Sequence, residues 1–146
     1  MIPLHTILHP TDFSERSTAA FQFACALAKD YSAQLIVLHA VPPGTADLLA
    51  LLDVGAQDPS EDIDAPLWEQ LRRIQPPDAA VRVEHRLEEG HAAATIVRQA
   101  DLIHADLIVM GTHGRTGIEH ALMGSIAERV VRRAHCPVLT VRPPAR

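Results

Sequence analysis

The sequence predicts an α/β fold: a single domain with an open, twisted five-stranded parallel sheet and helices on both faces. Strand-length apolar segments alternate with helix-length segments along the whole chain, the pattern of a parallel sheet covered by helices. Two apolar segments, LIVL (35–38) and LIVM (107–110), are continuous runs, as expected for strands buried on both faces. The length of 146 residues is typical of one domain, which we expect to span 1–146.

Each predicted element has its own sequence signal. The strands are apolar segments bounded by polar residues or proline, and they cover 5–10, 33–41, 81–87, 106–111 and 137–142. The helices lie between them and cover 14–31, 65–75, 91–105 and 124–135. Two helices show an apolar face at helical spacing, formed by Ile96, Val97, Ala100 and Ile103 in one and by Ile126, Val130 and Ala134 in the other. Residues 42–64 form a long connection with a short helix predicted over 46–54.

Composition and charge exclude several classes of protein. A net charge of -5 and an aromatic content of 3% argue against a nucleic-acid-binding protein, because such binding depends on clustered Lys and Arg and often on aromatic stacking. Cys25 and Cys136 are far apart and form no C-x-x-C motif, which favours reduced thiols. The first residues lack the pattern of a signal peptide, and no apolar run is long enough to span a membrane. We therefore expect a cytoplasmic protein.

The fold predicts where a ligand binds. In open parallel sheets, ligands lie beyond the carboxyl ends of the strands, where the strand order reverses. The segments to inspect are therefore HPTDFS (9–14) and GTHGRTG (111–117). Glycines allow close backbone approach, so the second segment can form an anion site from its N–H groups.

A helix start follows the glycine-rich loop. Ser125 and Glu128 have the S-x-x-E spacing of a capping box, which marks a helix N-terminus with free N–H groups that favour phosphate. The alternative is that Ser125 is only an N-cap and the glycines only turn residues. Spacing alone leaves both interpretations open.

The sequence resembles the universal stress protein family. The segments that carry the resemblance are HPTDFSE, LIVLHAV and above all DLIVMGTHGRTGIEHALMGSIAERVVRRAHCPVLTVR, and only 42–80 falls outside it. The nucleotide-binding branch of that family has the signature G-x-x-G, nine residues, then G-[ST]. Gly111, Gly114, Gly124 and Ser125 match it without a gap. The resemblance implies a Rossmann-like sheet similar to that of the adenine nucleotide alpha-hydrolases.

The resemblance also implies a site for ATP, with or without Mg²⁺. The phosphates and ribose would lie against the loop and the helix start, formed by Gly111, Thr112, His113, Gly114, Arg115, Thr116, Gly117, Gly124, Ser125, Ile126 and Ala127. Pro10, Thr11 and Asp12 would line the adenosine pocket, and Val41 would meet the adenine through its backbone. Asp12 has an alternative interpretation, since Asp12 and Glu15 also have capping-box spacing.

Nine histidines raise the question of a metal site. His9 and His39 end the first two strands, and His113 lies in the glycine-rich loop. No pair of histidines has the short ligand spacing of a zinc motif, so we predict none.

The last strand predicts self-association. Strand 137–142 has its only proline at the start, which leaves its middle open to pairing at a sheet edge. Pairing with the same strand of a second copy would cover that edge, and the resemblance implies the same homodimer.

The functional expectation is a nucleotide-dependent homodimeric module of the stress response. Asp12 and Glu119 are the only acids near the motifs, so ATP hydrolysis is expected to be slow at most. The alternatives are a slow ATPase enzyme, and a dimeric scaffold without nucleotide, as in the other branch of the family. An adenylating enzyme is disfavoured because no S-G-G-x-D-S motif is present. Protein partners other than a second copy are left open.

Overall fold

The protein forms one five-stranded sheet with helices on both sides. The structure is a computed structural model, and it describes residues 2–45, 48, 51, 65–112 and 123–143. The strands are β1 (Thr6–Pro10), β2 (Gln34–Val41), β3 (Arg82–Glu89), β4 (Leu107–Gly111) and β5 (Val138–Val141). All are parallel, in the order β3-β2-β1-β4-β5. The predicted five-stranded parallel fold is confirmed.

Burial differs between the central and the edge strands. Central strands β1, β2 and β4 contain the continuous buried runs, because helices cover both of their faces. β3 lies at one edge and continues to Glu89, two residues beyond the predicted end, because it pairs with β2 as far as Val41. β5 lies at the opposite edge, as predicted, and all four of its residues are half-buried.

Four helices pack on the two faces of the sheet. They are α1 (Glu15–Tyr31), α2 (Ala65–Arg72), α3 (Ala92–Leu102) and α4 (Ser125–Arg133). α1 and α2 cover one face, where Phe21 and Leu71 belong to the same buried apolar cluster as Ile7. α3 and α4 cover the other face, where Ile96 and Val130 join a second apolar cluster. Because α1 and α3 begin within a few residues of the ends of β1 and β3, the start of each helix lies close to the end of the preceding strand.

Three of the four helices end two or three residues before their predicted ends, whereas α1 ends at Tyr31 as predicted. α3 ends at Leu102 rather than 105, because His104 takes a left-handed conformation with φ 51°. α2 ends at Arg72 rather than 75, and α4 at Arg133 rather than 135. The apolar face predicted for α4 is partly wrong: Ile126 is 43% exposed. Its inward stripe is instead built on Ala127 and Val130.

The remaining expectations concern the connection and the thiols. Of the short helix predicted over 46–54, the structure describes Leu48 and Leu51, both helical, and the rest of that segment lies outside the described residues. Cys25 and Cys136 are both free thiols, as predicted. Burial raises the pKa of the Cys25 thiol to about 11. In the part of the chain that the structure describes, no helix is long and apolar enough to cross a membrane.

Candidate functional site

A crevice forms where β1 and β4 separate. These strands are paired at Ile7↔Leu107 and Leu8↔Ile108. Beyond that point β1 continues with β2 as far as Pro10, and β4 continues with β5 as far as Gly111. The strand order reverses between β1 and β4, so their carboxyl ends border the position where parallel sheets bind ligands.

The described residues on either side of 113–122 meet at the carboxyl end of β4. The N–H of Thr112 donates to the carbonyl oxygen of Val141 over 3.2 Å, which extends the β4–β5 pairing by one residue. The N–H of Gly124 in turn donates to the carbonyl oxygen of Thr112. Gly111 and Thr112 are therefore held next to Gly124 and Ser125. His113, Gly114, Arg115, Thr116 and Gly117 lie in 113–122, outside the described residues.

The start of α4 differs from the predicted capping box. The N-cap is Gly124 rather than Ser125, and it makes no side-chain capping bond. Glu128 donates the first helical hydrogen bond, to the carbonyl oxygen of Gly124 over 3.0 Å. The N–H groups of Ser125, Ile126 and Ala127 consequently have no acceptor within the helix. Together with the helix dipole, these N–H groups favour an anion at this position.

The turn after β1 is held by side chains of its own polar residues. Ser14 is the N-cap of α1 and accepts from the N–H of Ser17, so the interpretation of Asp12 as a capping residue is wrong. Oδ1 of Asp12 instead accepts from the N–H of Ser14 over 2.9 Å and closes the turn. Oγ1 of Thr11, which is buried, accepts from the N–H of Phe13 over 3.1 Å. The carboxyl end of β1 thus has a fixed geometry.

Phe13 adopts an unusual backbone conformation in this turn. Its φ of 66° lies in the left-handed region, which bulky residues rarely adopt. The Phe13 ring lies 4.3 Å from the ring of His39 on β2. Nδ1 of His39 donates to the carbonyl oxygen of Thr11 over 2.8 Å, since a carbonyl can only accept. These contacts attach the turn to β2 and stabilise the strained residue.

Val41 is the last residue of β2, at the same edge of the parallel sheet as the end of β1. Its side chain is buried, and its carbonyl oxygen accepts from the N–H of Gly90 over 2.8 Å. Gly90 has a φ of 150°, and a Cβ there would collide with Oγ1 of Thr95. The backbone of Val41 is therefore held in place by the turn that leads from β3 into α3.

His9 is a buried polar residue at the end of β1 that the site prediction did not include. Its ring is fully buried, and Nδ1 donates to the carbonyl oxygen of Val109 on β4 over 2.9 Å. Burial lowers the pKa of His9 to about 4, so the ring is neutral at neutral pH. Nε2 has no hydrogen-bond partner among the described residues. The sequence signal is a histidine that immediately precedes proline at the end of a buried strand.

A cavity of about 200 Å³ lies on the other side of the β1 turn. It is lined by residues from β1, from the turn, from α1 and from the end of α2, including Phe13, Thr18 and Arg73. Of the predicted site residues in the described part of the chain, only Thr11 lines it. His9 also lines the cavity, which therefore adjoins the end of β1.

The described residues offer no cluster for a metal. Across residues 2–45, 65–112 and 123–143, together with Leu48 and Leu51, no group of three His, Cys, Asp or Glu side chains converges.

Comparison with known proteins places this geometry in a family. The model of the universal stress protein family matches residues 3–142. The universal stress protein MJ0531 of Methanocaldococcus jannaschii is 37% identical over 144 residues, which cover 94% of this chain and 82% of the relative.

Two solved structures are similar over nearly the whole chain. A universal stress protein in complex with cAMP is 29% identical with a TM-score of 0.71, and the alignment covers 96% of this chain and 98% of that one. The universal stress protein UspA from Lactobacillus plantarum is 25% identical with a TM-score of 0.74, covering 95% and 98% of the two chains. The chain studied here belongs to the universal stress protein family.

Proposed function

We propose that this protein binds ATP in the crevice between β1 and β4 and acts as a nucleotide-dependent homodimeric module of the cytoplasmic stress response. The single domain assigned to it spans 1–146. The observation that carries the proposal is the hydrogen bond from Gly124 to Thr112, which brings the ends of the signature together at the crevice. The universal stress protein complexed with cAMP supports an adenine nucleotide as the ligand class.

The phosphates would bind at the start of α4. Ser125 and Ile126 are exposed there, and their N–H groups precede the first helical hydrogen bond. Such N–H groups and the helix dipole stabilise phosphate without a lysine. The loop residues Gly111 to Gly117 would enclose the phosphates and ribose, and Arg115 would add a positive charge.

The adenosine would lie between the β1 turn and the end of β2. Asp12 is half-buried in the turn that follows β1, and a carboxylate is a strong acceptor of hydrogen bonds from hydroxyl and amino groups. We assign Asp12 to a ribose hydroxyl or to an adenine donor. Pro10 and Thr11 would form the adjoining wall, and the backbone of Val41 would contact the adenine.

The homodimer would form through β5. The two edge strands differ in charge: β3 contains Arg82, Glu84, Arg86, Glu88 and Glu89, whereas β5 reads VLTV. Charged side chains protect an edge strand from pairing, and β5 lacks them. An antiparallel pair of β5 strands about a two-fold axis would cover this edge.

Hydrolysis would be slow, with or without Mg²⁺. Phosphoryl transfer requires a carboxylate that holds the metal and a group that positions the attacking water. Among the described residues, Asp12 follows the end of β1, and its Oδ1 already accepts from the N–H of Ser14 in the turn. A turnover at or above ~1 s⁻¹ in purified protein would contradict this assignment.

The proposal is tested by identifying the small molecules that copurify with the protein. Mass spectrometry of small molecules released from protein purified without added nucleotide should recover ATP. Calorimetric titrations with ATP, AMP and cAMP, each with and without Mg²⁺, then rank the ligands, with GTP as the control for the base.

The alternative function is a dimeric scaffold without nucleotide. It is favoured if no nucleotide copurifies and no binding occurs at millimolar ATP. Self-association through β5 is expected under both functions, so only the nucleotide measurements distinguish them.

A further inference from the structure

The junction between β1 and β4 lacks a backbone donor at one position. The N–H of Thr11 donates to Leu38 on β2, so the N–H of the preceding residue, Pro10, would point towards β4. On β4, the N–H of Ile108 donates to Pro137 on the β5 side, so the next residue, Val109, turns its carbonyl towards β1. Proline has no N–H, so the ladder cannot continue here.

The side chain of His9 occupies the place of the missing donor. Its Nδ1 lies 2.9 Å from the carbonyl oxygen of Val109, which can only accept, so Nδ1 bears the proton. The ring is fully buried beside Phe21, with the ring centroids 5.6 Å apart. The carbonyl of Val109 is thus satisfied while the two backbones remain apart.

We propose that His9 is a positioning residue for the nucleotide site, in which the bond from Nδ1 to Val109 replaces the donor that Pro10 lacks and so fixes the width of the crevice. This inference rests on the proposed function. A backbone hydrogen bond at residue 10 would draw β1 and β4 to the usual spacing of paired strands, about 4.8 Å. The longer bridge through an imidazole ring completes the hydrogen bonding without closing the crevice.

Two substitutions at residue 9 distinguish the effect of the hydrogen-bond donor from the effect of the imidazole ring. In His9→Asn, the amide nitrogen stands near the position of Nδ1 and keeps a donor. In His9→Leu, an apolar side chain leaves the Val109 carbonyl without a partner. We expect His9→Leu to raise the Kd for the adenine nucleotide about tenfold, and His9→Asn to raise it less than about threefold.

A third variant separates positioning from stability. In His9→Leu with Pro10→Ala, the new N–H of residue 10 can donate to Val109. We expect the melting temperature to recover relative to His9→Leu, the new amide to be protected from hydrogen exchange, and the nucleotide affinity to stay low because the crevice narrows. Since Pro10 is itself assigned to the pocket wall, Pro10→Ala alone is measured as the reference for a lost wall contact.

The outcomes separate this inference from the proposed function. If wild-type protein binds no adenine nucleotide, both fail. If wild-type protein binds and His9→Leu binds equally well, the positioning role alone is overturned. It is likewise overturned if His9→Asn loses as much affinity as His9→Leu, or if the double variant recovers affinity together with its melting temperature.

Discussion

Gly124 donates its backbone N–H to the carbonyl oxygen of Thr112, and this bond joins the residue after β4 to the residue before α4. It brings together the two ends of a signature that are separated by many residues in the sequence. The start of α4 is thereby held beside the carboxyl end of β4.

The first prediction concerns the glycines of the loop. Gly124 has φ -71° and ψ 162°, an extended conformation that any residue adopts, so a side chain there is tolerated by the backbone. In Gly114→Val with Gly124→Val, we expect the added side chains to occupy the phosphate position and abolish ATP binding measured by calorimetry, while the dimer remains. Ala80→Val, at an exposed turn, is the control for added bulk. Retained affinity would show that this loop does not hold the phosphates.

The second prediction concerns the dimer edge. Because the N–H of Thr112 and Ile108 donate to Val141 and Pro137, odd-numbered residues of β5 face β4 and Thr140 turns its N–H outwards. Thr140→Pro therefore removes an outward donor and leaves the β4–β5 bonds in place. We expect a folded monomer by analytical ultracentrifugation. The control Thr140→Ala keeps the N–H and should remain dimeric, and a dimeric Thr140→Pro would rule out this edge.

The third prediction concerns acid stability. Burial lowers the pKa of His9 from 6.5 to about 4, so the unfolded chain binds a proton that the folded protein excludes. The contribution of neutral His9 to the free energy of unfolding is therefore fully present above pH 6.5 and is lost as pH falls towards 4. The total loss over this range is roughly 3 kcal/mol. Urea unfolding of wild type and His9→Asn between pH 7 and pH 5 measures this, because the variant lacks the titrating ring. If the free energy of unfolding of the two proteins changed equally with pH, the lowered pKa of His9 would be contradicted.

The fourth prediction concerns Gly90, which supports Val41. A Cβ at residue 90 collides with Oγ1 of Thr95, and a φ of 150° is strained for any side chain. We expect Gly90→Ala to lower the free energy of unfolding by about 2–4 kcal/mol. Adding Thr95→Ala removes the collision with Oγ1 but leaves the backbone strain at residue 90. The double variant should therefore regain part of the free energy of unfolding that Gly90→Ala loses.

Thr95→Ala alone is the matched control for that cycle. Oγ1 of Thr95 is buried without a hydrogen-bond partner among the described residues, so its removal should cost little. Full recovery in the double variant would mean that the backbone of Gly90 is not strained.

Element type was accessible from the sequence, whereas several element ends were not. The alternation of apolar strands with amphipathic helices predicted the five strands and the four helices that pack on them. Burial on one or two faces requires apolar residues at a regular spacing, and this spacing is visible in the sequence. Helix ends depend on single side chains, so the candidates Asp12 and Ser125 were displaced by Ser14 and Gly124. More than one residue suited to an N-cap lies close to each of these helix starts, and only the backbone path selects between them.

The sequence by itself determined the fold class and the family, because these depend on local composition and on motif spacing. Tertiary structure alone decided that Gly124 bonds to Thr112, that Val41 is held by Gly90, and that His9 bridges β1 to Val109. Each of these contacts joins residues that are distant in the chain. Which residues meet in these contacts depends on strand order and register, and a local sequence pattern does not specify either.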